Sequence, residues 1–181
     1  MTIEIRDARP EDAGIVAWVV LTALDMDESQ KERLAETCAE ADTLYSWENT
    51  RLAFVDGKPA GGLIAYPGEK YARLRAKTWP RCWDINPETL AATAIEAQAG
   101  EFYLDSMALL PEYRGLGLGK MLLEEAVQKA AELGFEYASL IVDKSKPGLV
   151  EHYSKIGFVK DGSMEFFGHD YYRMKFRADK K

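Results

Sequence analysis

The stretch Leu104-Asp105-Ser106-Met107-Ala108-Leu109-Leu110-Pro111-Glu112-Tyr113-Arg114-Gly115-Leu116-Gly117-Leu118-Gly119-Lys120 sets three glycines at alternate positions between a strand-like and a helix-like segment. Glycine reaches backbone angles closed to other residues, so main-chain N–H groups can converge on an anion without side chains in the way. The following helix adds unpaired N–H groups and the positive end of its dipole, which suits a pyrophosphate. Glycines also serve the bare geometry of a tight turn, so other phosphate patterns must be tested. The Walker pattern fails: Arg114 stands where its first glycine belongs and Met121 replaces the magnesium-binding hydroxyl. The dinucleotide pattern fails because neither Gly115 nor Gly117 starts a G-x-G-x-x-G run.

A different pattern fits. Arg114, Gly117 and Gly119 match Arg or Gln, two residues, Gly, one residue, then Gly or Ala, and the segment resembles the acyl-CoA site of the GNAT superfamily of N-acyltransferases. The likeness extends upstream through Met107-Ala108-Leu109 and Pro111-Glu112-Tyr113. Downstream, Tyr153-Ser154-Lys155-Ile156-Gly157-Phe158 looks like the family's Tyr-x-Lys-x-Gly-Phe element. It covers residues 101 to 160 and departs at Lys146, where the family often has Asn near the pantetheine arm, and at Leu149, where it often has Ala.

The resemblance implies acetyl-CoA as cosubstrate and direct transfer to the primary amine of a small molecule or peptide, the alternatives being a noncatalytic acyl-CoA-binding or regulatory module and an N-acyltransferase that uses another acyl-CoA. The backbone from Arg114 through Gly115, Leu116, Gly117, Leu118 and Gly119 to Lys120 would hold the pyrophosphate. The strand edge at Met107, Ala108 and Leu109 would pair with the pantetheine, which Lys146 would also approach. The Leu109 N–H would polarise the thioester carbonyl, as a preorganised amide aimed at a developing oxyanion does. Tyr153 would protonate the departing thiolate, the alternative being a ring packed under the sheet. Asp105 is the first candidate for the base, with Glu48 a weaker one. Strand alternation puts Asp105 on one face with Met107 and Leu109, unless a bulge intervenes.

Other residues carry weaker signals. His169 sits in a strand turn, where it could line the acceptor pocket. Met164, Phe166, Phe167, Tyr171 and Tyr172 are core-like aromatic or apolar residues. Lys70, Arg73, Arg75, Lys77 and Arg81 interleave with Tyr71, Trp79 and Trp83; they read as a solvated helix face or as a site for an anionic or aromatic acceptor. Cys38 and Cys82 have no pairing pattern and no histidine at zinc spacing, so reduced thiols and no metal are expected.

These residues need a frame to hold them. The N-terminal alternation Ile3-Glu4-Ile5-Arg6-Asp7 reads as a strand, and helices are expected from Pro10 to Leu24 and from Glu28 to Ala41. Arg51 to Val55 and Gly61 to Tyr66 flank Asp56-Gly57 as a hairpin. Residues 67–100 break this pattern and read as a helical insertion atypical of the family. Glu101 to Leu110 returns to strand. Leu118 to Leu133 follows as a helix capped by Gly134, then a buried strand from Phe135 to Val142, a helix starting at Pro147 and a final strand pair.

The expected fold is α/β (α+β): a mixed, mostly antiparallel sheet flanked by helices and splayed between residues 103–110 and 136–142. At 181 residues the chain fits one domain, 1–181. The formal charge of −7 disfavours nucleic acid as a partner, and no apolar run reaches membrane-spanning length. Without a signal-peptide pattern the expected location is cytoplasmic. A homodimer is left open.

Overall fold

Asp56 and Gly57 both take positive φ, 49° and 76°, the left-handed pair whose twist suits a two-residue hairpin. They join β2 (Thr50–Val55) to β3 (Lys58–Pro67), as the sequence led us to expect. In the computed structural model, which describes residues 1–178, β1 (Ile3–Asp7) pairs antiparallel with β2. On the other side of β3, also antiparallel, lies β4 (Glu101–Leu109). Next come β5 (Tyr137–Asp143), parallel to β4, and the antiparallel pair β7 (His169–Arg177) and β6 (Val159–Phe166). The result is one seven-stranded sheet in the order β1-β2-β3-β4-β5-β7-β6.

Among the described residues the one parallel pairing is also the shortest. β4 and β5 stay together from Glu101 opposite Tyr137 to Tyr103 opposite Ser139 and then part, while β4 remains on β3 through Leu109 and β5 on β7 through Asp143. A gap therefore opens in the middle of the sheet, as expected.

Each face of the sheet has its own core. On one side α1 (Ala13–Ala23), α2 (Lys31–Cys38) and α3 (Tyr71–Trp83) cover Leu52, Ile64, Tyr66, Tyr103 and Ala108. After α3 comes the short α4 (Pro87–Ala92). On the other side α5 (Leu118–Glu132) lays Leu122, Leu123, Ala126 and Ala130 against Leu63, Leu104 and Leu140, with α6 (Pro147–Ile156) beside it. The 3.6-residue period of α5 dictates that stripe, and each buried leucine contributes about 2 kcal/mol. No helix among the described residues is long and apolar enough to cross a membrane.

Two local features depart from expectation. In β4, Ser106 opposes Ile64 but Leu104 opposes Ala65, so Asp105 is an extra, bulged residue. The bulge resets the alternation. Leu104 lies against the α5 core, Met107 and Leu109 pack on that same side, and Asp105 instead lines a cavity with Tyr103 on the α3 side. Asp105 thus does not share a face with Met107 and Leu109. The second departure is at residues 93–100, expected to continue a helix: helix stops at Ala92 and an irregular segment of bends and a turn follows. Arg75 holds that segment through the carbonyls of Leu90, Thr93 and Ala94, and Arg173 through the carbonyl of Glu96 at 2.6 Å. Gly68 lets Gln98 approach, for a Cβ there would sit 1.9 Å from the Gln98 carbonyl oxygen.

Candidate active site

The glycine turn uses its glycines unequally. Gly115 and Gly117 both have φ +81°, while Gly119 lies within the first turn of α5 without a positive φ. A Cβ at Gly115 or Gly117 would meet nothing within 4 Å, so backbone conformation, not space, calls for glycine there. Gly117 caps α5 and its carbonyl accepts from Met121 N–H at 3.1 Å. The N–H groups of Leu118, Gly119 and Lys120 then lack intrahelical partners, and they sit at the positive end of the dipole. This suits a pyrophosphate. Arg114 N–H is already given to the Pro111 carbonyl at 3.2 Å, so the free amides begin after it, later than expected. The Arg114 side chain turns back, Nε donating to the Leu109 carbonyl at 3.4 Å.

The edge of β4 faces the gap. Leu110 N–H donates to the Ala60 carbonyl at 2.9 Å on β3. Hydrogen-bonding direction alternates along a strand, so the main-chain groups of Ala108 face β3, whereas those of Met107 and Leu109 face away from it, toward β5. Gly61 secures the register: with φ +144° it admits Leu109, whose Cα would lie 2.8 Å from any Cβ at that position.

Tyr153 lies on α6, on the α5 side, its ring edge-on to Phe158 at 5.6 Å. Burial pushes its phenol up to about 12. It is therefore protonated at neutral pH, as a proton donor must be.

On the opposite face, beside the gap, lies a cavity of about 790 Å³, and two of the carboxylates in its wall, Asp105 and Glu96, are held by hydroxyls. Asp105 accepts from the Tyr66 hydroxyl and from Ser106 Oγ at 2.7 Å. Glu96, buried, accepts from the hydroxyls of Tyr71 at 2.8 Å and Tyr103 at 2.9 Å. Burial raises both carboxyls above their ordinary range, and charge on Asp105 raises Glu96 further. Glu96 went unnoticed in the sequence, although it is the only charged residue between Glu88 and Glu101. A phenol thus lies on one side of the sheet and paired carboxylates on the other.

The profile of the acetyltransferase (GNAT) family matches residues 18–158, most of the chain. The chain belongs to the GNAT acetyltransferase family. It is an acetyltransferase by that membership, and the family uses acetyl-CoA. Its fold is similar to that of an N-acetyltransferase from Staphylococcus aureus Mu50, with TM-score 0.81 and 25% identity over 96% of this chain and 100% of that one. PaiA N-acetyltransferase from Thermoplasma acidophilum, solved with coenzyme A, has TM-score 0.59 and 20% identity over 98% and 99%. The ribosomal-protein-S18-alanine N-acetyltransferase from Escherichia coli has TM-score 0.64 and 16% identity over 99% and 96%. Among curated proteins no match was found.

Within this GNAT frame the remaining candidates separate. Lys146 does reach the cavity wall, but its ammonium is bound by Asp25 at 2.7 Å, tying the start of α6 to the loop after α1. His169 also lines the cavity, its Nδ1 3.4 Å from Asp143. Glu48 does not: it accepts from Asp42 N–H at 2.8 Å, outside that cavity. Most of the basic run on α3 is spent on ion pairs, Arg73 with Asp42 and Arg81 with Glu40, and Arg75 is buried. Only Trp79, Cys82 and Trp83 of α3 line the cavity. The anion-binding reading of that segment fails there, and its aromatic component remains. Burial holds Cys82 as a thiol.

Proposed function

We propose that this acetyltransferase moves the acetyl group of acetyl-CoA directly to a primary amine. The observation that carries the reading is the gap between β4 and β5, which opens to Tyr153's side of the sheet and to the carboxylate-lined cavity on the other. Similarity to the S. aureus N-acetyltransferase supports nitrogen as the acceptor atom.

The chain's residues divide the work. The free amides of Leu118, Gly119 and Lys120 bind the pyrophosphate. Leu109 N–H, directed into the gap, donates to the thioester carbonyl and stabilises the oxyanion, an effect of about 3 kcal/mol where one such donor has been removed elsewhere. Asp105 takes a proton from the arriving ammonium, directly or through water, which frees the lone pair. The C–N bond forms and the C–S bond breaks. Tyr153 gives its proton to the thiolate and recovers one from the nitrogen, so one proton is released to solvent through Asp105. A base with a raised pKa and an acid still protonated at neutral pH match these tasks. No cysteine or serine beside a histidine offers an acyl-enzyme route among the described residues.

Acetyl-CoA should raise the melting temperature by mass action, and thiol release should follow when amines are added. Gly117→Glu sets a carboxylate at the amide cradle and should remove both. Gly117→Ala, which adds only a methyl group in open space, should retain binding at a cost of about 1 kcal/mol in stability. Equal thermal shifts in wild type and a folded Gly117→Glu protein would refute this reading.

A further inference from the structure

The walls of the cavity beside the gap sort by chemistry. Its lining carries five carboxylates, Asp25, Asp84, Glu96, Asp105 and Asp143. Three are neutralised or tied. Asp25 binds Lys146 at 2.7 Å, Asp84 binds Arg33 through two bonds of 2.6 Å, and Asp143 accepts from Ser145 N–H and faces His169. Asp105 and Glu96 have neither lysine nor arginine in an ion pair among the described residues. Their partners are four neutral hydroxyls. A cation is the complementary ligand for Asp105 at that end of the cavity, and a cation seated there would favour the ionised form of Glu96 beside it.

Much of the remaining lining is aromatic. Trp79 is central to it: the Phe167 ring lies 5.7 Å from it and the Phe166 ring 6.2 Å. Phe167 is 56% exposed, and it occupies the β6–β7 turn with φ +50°. That left-handed conformation is strained for a side-chain-bearing residue, and a bulky one rarely adopts it. Neither core burial nor turn chemistry accounts for an exposed phenylalanine there. It does complete an apolar shelf over the cavity with Phe166 and Trp79.

We propose that the acceptor is an arylalkyl primary amine, its ammonium directed to Asp105 and Glu96 and its ring laid against Trp79, Phe166 and Phe167. The inference rests on the transferase reading above and specifies its substrate class. An amino acid fits less well, because its carboxylate would enter an acidic cavity whose Lys146 is already paired. A polyamine fits less well too. The Trp79 ring already carries the Arg75 guanidinium at 5.1 Å, so a second cation there would be repelled.

The test is thiol release from acetyl-CoA with 2-phenylethylamine, propylamine, spermidine and alanine, each on wild type and Phe167→Ala. We expect kcat/KM to be highest for 2-phenylethylamine. Phe167→Ala should raise KM for 2-phenylethylamine about tenfold with kcat within twofold, the behaviour of a ground-state aromatic contact. The effect on propylamine should be at least fivefold smaller. Spermidine or alanine exceeding 2-phenylethylamine on wild type would overturn the assignment while leaving the transferase intact. So would an equal loss for both monoamines in the variant. No release with any amine would instead refute the transferase reading, and this inference with it.

Discussion

The Tyr66 hydroxyl donates to the Asp105 carboxylate at the position where β4 carries an extra residue with no partner on β3. The two facts belong together. The bulge turns Asp105 from the α5 side, where simple alternation would leave it, into the cavity, and Tyr66 on the neighbouring strand meets it there. Burial raises the carboxyl while the Tyr66 and Ser106 hydroxyls pull it down by favouring the ionised form.

Tyr66→Phe removes the first of those hydroxyls and leaves the ring stack with Tyr71 in place. The Asp105 carboxyl should then rise further and stay protonated to higher pH. The rising limb of kcat/KM against pH should move up by about 1–2 pH units, the worth of one hydrogen bond to a charged group. Activity should be depressed at about pH 6 and largely restored at about pH 9. An unmoved limb would mean that Asp105 is not the group that titrates.

Glu96 makes a thermodynamic prediction. Its folded pKa is raised, chiefly by burial, so above the ordinary carboxylate range the folded state holds a proton that the unfolded chain has lost. That contribution is complete below the unfolded pKa and fades as pH climbs to the folded one. The wild-type unfolding free energy, from denaturant titration, should therefore fall with rising pH more steeply than that of Glu96→Gln, by at most about 1.4 kcal/mol per pH unit. Parallel curves would show that Glu96 ionises as freely as an exposed glutamate.

Gly61→Ala tests the strand edge. The new Cβ would lie 2.2 Å from the Ala108 carbonyl oxygen and 2.8 Å from Leu109 Cα, both main-chain atoms, at a φ of +144°. A loss of about 2–3 kcal/mol in denaturant unfolding is expected from overpacking plus backbone strain, with reduced turnover because Leu109 N–H is displaced. Gly14→Ala, in α1 with nothing within 4 Å, is the control and should be neutral or slightly stabilising. Equal stabilities of the two variants would refute the close approach.

What the sequence revealed was what local chemistry decides. Leu122, Leu123, Ala126 and Ala130 recur at helical spacing and are buried along α5; Asp56-Gly57 makes its hairpin; Gly134 takes positive φ after its helix. The gap followed from a resemblance, since nothing in the composition of β4 or β5 says where they part. The side to which Asp105 points was hidden, because a bulge is a property of two strands in register. Glu96 was hidden for a related reason. A glutamate among alanines looks solvated until Tyr71, Tyr103 and Arg173, drawn from three separate elements, surround it.

Tyr153 supplies the sharpest test of the chemistry. Desolvation is the cause of its raised pKa, and Phe158 flanks its ring, so Tyr153→Phe keeps the packing and deletes only the proton donor. The variant should fold and bind acetyl-CoA nearly as wild type does, measured by thermal shift. Its turnover should fall on the order of a hundredfold, the lower end of what a positioned acid contributes. If the phenol acts only as the thiolate departs, kcat and kcat/KM should fall together, because the interaction exists in the transition state and not in the bound complex. A loss confined to the KM for the amine would make Tyr153 an acceptor contact. Acceptors with weaker leaving-group demands offer no rescue, since the same thiolate leaves in every case. The fold loss should therefore be the same for 2-phenylethylamine and propylamine, unlike the selective effect expected at Phe167. Unchanged turnover when chemistry limits the rate would leave Tyr153 a packing residue and the thiolate to find its proton in water.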